Sequence, residues 1–105
     1  MRIDEIKQEV LNILDDRGFR RDPESSGVVY KLESDPTLRA RVLETGIQLV
    51  SRVMHVDFRF QQYNMMRSNF PAGMKRFNFY LKESIRKHTR IKEAEESYIS
   101  RKVVD

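Results

Sequence analysis

LRARVLETGIQLVSRVMHVDFRFQQ, residues 38–62, supports two incompatible readings, and the choice between them sets the fold. On a helical wheel, Arg41, Glu44, Thr45, Gln48, Ser51, Arg52, His55, Arg59 and Gln62 recur every three or four residues, and no apolar side chain falls on their side until Met66. That is the period of an amphipathic helix. On a strand, Met54 to Gln61 alternates apolar and polar without a break, and Leu38, Ala40 and Val42 alternate with arginines. The alternation breaks at Val42-Leu43 and at Leu49-Val50, whereas the helical pattern runs through the whole stretch. The longer pattern predicts a helix over 36–69, entered through Asp35-Pro36 with Asp35 or Ser34 as its cap and Pro36 in its first turn. Gly46 counts against that helix by about 1 kcal/mol relative to alanine and marks a place for a kink.

Upstream, Ile3, Ile6, Val10, Ile13 and Leu14 stand at spacings of three and four, which predicts an amphipathic helix over 2–17. Gly18 suits the left-handed position after its last turn, with Phe19 folding back on Leu14. Residues 18–35 read as a connector. Asp22-Pro23-Glu24-Ser25-Ser26-Gly27 is turn chemistry, and Val28-Val29-Tyr30-Lys31-Leu32 suits either a short strand at 28–33 that can pair with Phe19 to Asp22 or an irregular connector with one apolar edge. Downstream, Asn69-Phe70-Pro71-Ala72-Gly73 reads as a reversal, and Phe77, Leu81, Ile85 and His88 carry a third helix over 72–100.

The expected architecture is a single, mainly all-α domain spanning 1–105: an N-terminal amphipathic helix, a connector with a short strand or hairpin, and two long antiparallel helices. The alternative is an α+β fold with a three-stranded antiparallel meander. On the helical reading, the apolar arc of the second helix is wider than one partner helix covers, so a homodimer bundled across a two-fold axis is expected.

Composition narrows the function classes. A chain of 105 residues suits one domain, and the absence of cysteine excludes disulfides, thiolate chemistry and cysteine-ligated zinc. No apolar run approaches the roughly 20 residues of a membrane span, and the first residues lack the apolar block of a signal peptide. The expected location is cytoplasmic or otherwise intracellular, with no membrane partner. The net charge of +4 conceals a segregation: residues 36–92 hold twelve basic and three acidic residues, while residues 1–35 hold six and nine. A polyanion, DNA or RNA, or an acidic protein surface is the natural partner for that middle region.

Lys82, Arg86 and Arg90 form an i, i+4, i+8 ladder, with Lys75 near the same azimuth and Arg76 and Lys87 beside it. Such a ladder repels itself, and a phosphate backbone relieves the repulsion. Arg41, Arg52 and Arg59 add a sparser second line. These nine residues are the expected nucleic-acid interface of a non-enzymatic protein; an assembly factor docking an acidic partner is the alternative. His55 and Asp57 share a face on a strand and part on a helix, so the helical reading dissolves the one pair suggestive of a general base. Asp57 then falls on the apolar side and calls for an interhelical ion pair. His88 reads as a packed histidine, and no second histidine stands at ligand spacing, so neither a metal nor a cofactor is expected. Met54, Met65, Met66 and Met74 gather near the expected reversal, where an adaptable apolar contact or simple packing of the hairpin tip is expected.

Overall fold

Residues 35–63 form strands, and the expected long helix is not there. The computed structural model describes residues 3–25, 28–63 and 70–104, and within them the chain runs as helix α1 (Ile3–Asp16), strands β1 (Phe19–Arg21), β2 (Val29–Leu32), β3 (Asp35–Val42), β4 (Gly46–Val50) and β5 (His55–Arg59), a 3-10 turn at Phe60–Tyr63, and helix α2 (Phe70–Val104). The five strands make one sheet in sequence order, every neighbour antiparallel. This is an α+β fold, and it replaces the all-α hairpin of two long helices.

The two breaks in alternation that favour a helix are the ends of strands. β3 stops at Val42, and Leu43 N–H donates to the Gly46 carbonyl at 2.8 Å to close the first hairpin. β4 stops at Val50, and Ser51 N–H donates to the Met54 carbonyl at 2.8 Å to close the second. Arg41, Gln48, His55 and Arg59 occupy outward strand positions, while Glu44, Thr45, Ser51 and Arg52 belong to the two turns. Strand polarity plus turn polarity thus reproduces a helical stripe, although no helix generates it. Gly46 is explained by close approach rather than by a kink. A Cβ there would strike the Phe58 carbonyl and stand 3.0 Å from the Arg59 Cα on the neighbouring strand.

Asp35-Pro36 opens a strand instead of a helix, with the same local chemistry. The Asp35 carboxylate accepts the Thr37 N–H at 3.2 Å and its hydroxyl at 2.6 Å, the side-chain-to-backbone bond that elsewhere caps helices. Pro36 is accommodated because β2 and β3 slip register between Lys31↔Arg39 and Leu32↔Asp35, leaving residues 36–38 off the ladder.

One face of the sheet presents Phe19, Leu32, Leu38, Ala40, Ile47, Leu49 and Phe58, joined by Phe60 of the 3-10 turn, all buried, against Ile6, Val10 and Leu14 of α1 and Phe77 and Leu81 of α2. Phe58 and Phe77 meet edge to face at 5.6 Å. Arg17 donates twice to Asn78 Oδ1, at 2.8 and 3.2 Å, linking the end of α1 to α2. Covered in this way, the apolar residues no longer form the wide helical arc on which a homodimer is expected. α1 ends as its sequence requires, with Gly18 at φ 89° and Phe19 buried. α2 begins at Phe70, so Pro71 to Gly73 form its first turn instead of a reversal, and Asn69 lies outside the described residues.

Candidate nucleic-acid interface

α2 crosses the inner face of the sheet and therefore has two sides of opposite character. Its inward side carries Phe77, Leu81 and His88, each buried. Its outward side carries Lys75, Arg76, Lys82, Arg86, Lys87 and Arg90, all exposed, along about 22 Å of helix axis at 1.5 Å per residue. Arg86 reaches Glu83 at 3.4 Å, and the other five make no ion pair with a described residue. The six helical members of the expected interface thus share one surface.

Phe79 and Tyr80 lie on that same outward half, 57% and 50% exposed, with ring centroids 5.3 Å apart in an edge-to-face contact. Phe79 stands one turn from Lys75, Arg76 and Lys82. Sequence reasoning overlooks this residue, although its azimuth beside Lys75, Lys82 and Arg86 is the signal that would have found it.

The remaining three arginines are dispersed. Arg41 and Arg59 project from the outer face of the sheet, opposite the helices, together with Arg39 and the half-buried Gln48. That face mixes charge: Lys31 pairs with the buried Asp22 at 3.4 Å, and His55 with Asp57 at 3.3 Å. Arg52 sits in the β4–β5 turn and pairs with Glu95 of α2 at 2.9 Å, which engages its charge in fixing the turn. Two cationic surfaces therefore face opposite directions, where the sequence suggests one.

Asp57 is exposed on the outer face, so the buried interhelical role expected of it does not apply. His55 and Asp57 do share a face, as strand residues two apart must, and both stand open to solvent. Met54 and Met74 pack half-buried against the core, while Met65 and Met66 lie outside the described residues.

Beneath the cationic side, the inward side of α2 is tied down by a polar network that the sequence does not announce. His88 bonds Asp35 Oδ2 through Nε2 and Ser51 Oγ through Nδ1, both at 2.9 Å, and Lys92 Nζ reaches Asp35 Oδ1 at 3.0 Å. A carboxylate only accepts, so Nε2 donates to Asp35, and in the neutral ring Nδ1 accepts the Ser51 hydroxyl proton. Burial alone would raise the Asp35 carboxyl; the hydrogen bonds from Thr37, His88 and Lys92 outweigh it and hold the group well below the usual carboxylate range.

Ser51, His88 and Asp35 have the connectivity of a nucleophile–base–carboxylate relay. Their surroundings are those of an interlock. The imidazole is 1% exposed, and Ser51 Oγ also accepts the Val53 N–H at 3.2 Å. The three residues come from the start of β3, the β4–β5 turn and the middle of α2, so their bonds fix the helix across the sheet. Among the described residues, no group of three or more histidine and carboxylate side chains is placed to hold a metal ion.

Comparison with protein-family models gives no match, and neither the curated proteins nor the solved structures contain one. No helix among the described residues is long and apolar enough to cross a membrane.

Proposed function

We propose that this chain is a non-enzymatic nucleic-acid-binding protein that engages its ligand through the outward side of α2. The observation that carries the reading is the run of Lys75, Arg76, Lys82, Lys87 and Arg90, exposed on one side of a long helix and without an ion pair to any described residue. Like charges one turn apart destabilise a helix by a few tenths of a kcal/mol per pair. A phosphate backbone reverses the sign of that interaction and releases its condensed counterions. On this reading the interface tracks the phosphate backbone, to which exposed lysines and arginines bind whatever the sequence. An intracellular location belongs to this reading.

The test is a titration of labelled random-sequence DNA and RNA at 50 and 200 mM salt, with wild type and the K82E/R86E/R90E variant. Wild type binds at low salt and loses affinity steeply as salt rises; the variant binds at least about thirtyfold more weakly at 50 mM. Absence of binding at 50 mM salt, or an affinity that salt does not move, defeats the proposal. Salt-sensitive capture of acidic polypeptides in place of oligonucleotides transfers the same surface to a protein partner.

A further inference from the structure

We infer that the outward side of α2 takes single-stranded rather than duplex nucleic acid, with Phe79 and Tyr80 as a stacking platform between the cations; this rests on the polyanion reading above. Isolated exposed aromatics are ordinary on protein surfaces. These two differ in their placement. They touch each other at 5.3 Å, both are at least half exposed, and Lys75, Arg76 and Lys82 stand one helical turn from Phe79. The same helix buries Phe77 and Leu81 on its other side, so the fold does not lack inward positions for large apolar groups.

A duplex offers such a surface phosphates, sugars and the base edges in its grooves, but no open base face, because its bases are stacked on one another. A single strand offers phosphates to the lysines and arginines and an open π-face to each ring. Backbone-tracking cations interleaved with aromatic platforms are the two components of sequence-tolerant single-strand binding, and both are present within residues 75–90. Charge argues against the other occupants. A second copy docked here would set Lys82, Arg86 and Arg90 against like charges. A membrane-surface helix buries a continuous apolar stripe, whereas here the aromatics are flanked by cations on both sides along the axis.

The experiment compares four ligands by fluorescence anisotropy at 50 mM salt: a single-stranded DNA 20-mer, the same sequence as RNA, the corresponding duplex, and vesicles of anionic phospholipid. Wild type, F79A/Y80A and K82E/R86E/R90E are each titrated, with circular dichroism to show that the variants are folded. Single strands bind wild type at least about fivefold more tightly than duplex. The aromatic variant loses about tenfold for single strands, keeps its affinity for duplex, and retains the wild-type salt dependence. Equal affinity for duplex and single strand, with no effect of F79A/Y80A on either, overturns the stacking platform and leaves the polyanion reading standing. No binding to any oligonucleotide, or binding to vesicles alone, overturns both.

Discussion

The two sides of α2 handle charge in opposite ways. On the inward side, His88 and Lys92 converge on Asp35, and Arg52 meets Glu95, three pairs at 2.9–3.0 Å. On the outward side, five cations stand exposed with no ion pair to a described residue. The first arrangement fixes the helix to the sheet, and the second contributes nothing to that attachment. A residue's effect on folding and its effect on ligand binding should therefore separate cleanly along the helix circumference.

The largest expected effect lies on the inward side. Asp35→Ala removes the acceptor shared by Thr37, His88 and Lys92 and leaves a buried imidazole without its carboxylate; it should cost about 3 kcal/mol by urea unfolding. A loss below about 0.5 kcal/mol would mean that the network is incidental to how α2 sits. Next comes the acid response of the same group. The Asp35 carboxyl is depressed in the folded chain, so its contribution is complete above its unfolded value, near pH 4, and is lost as pH falls through the folded value. The groups facing it are Thr37 from β3 and His88 and Lys92 from α2. The urea midpoint of wild type should drop more between about pH 4 and pH 2 than that of Asp35→Asn, and parallel curves would contradict the assignment. The smallest effect belongs to the outer face of the sheet. R41E/R59E should weaken oligonucleotide binding only about twofold to threefold, because that face already mixes cations with carboxylates. A loss matching that of the α2 triple variant would move the interface to the sheet.

Much of the fold's two ends is legible in the sequence. The strand at residues 29–32 and its pairing with Phe19–Arg21 compete in the sequence with an irregular connector, while α1 and its glycine stop follow from local periodicity, where one pattern has no rival. Most of α2 is legible for the same reason. The middle is not, because two short hairpin turns carry polar residues at spacings that continue the outward side of the strands. A helical wheel cannot distinguish Glu44 in a turn from Gln48 on a strand. What decides it physically is long-range: Ile47 and Leu49 must reach Val42 and Ala40 on one neighbour and Phe58 and Val56 on the other. Gly46 is the local residue most indicative of this, since a backbone approach of that kind demands glycine. The candidate interface divides likewise. The α2 cations are visible as an i, i+4 ladder, but the Asp35–His88–Ser51 network joins residues up to 53 positions apart and leaves no periodic trace.

The most direct test places both sides of α2 in one experiment: the salt dependence of oligonucleotide affinity for K82E/R86E/R90E, measured beside its urea midpoint. The predicted result is a slope of log affinity against log salt reduced in magnitude by about two to three, with a midpoint within error of wild type. An unchanged slope, or a midpoint that falls as it does for Asp35→Ala, would contradict the division of α2 into a side that folds and a side that binds.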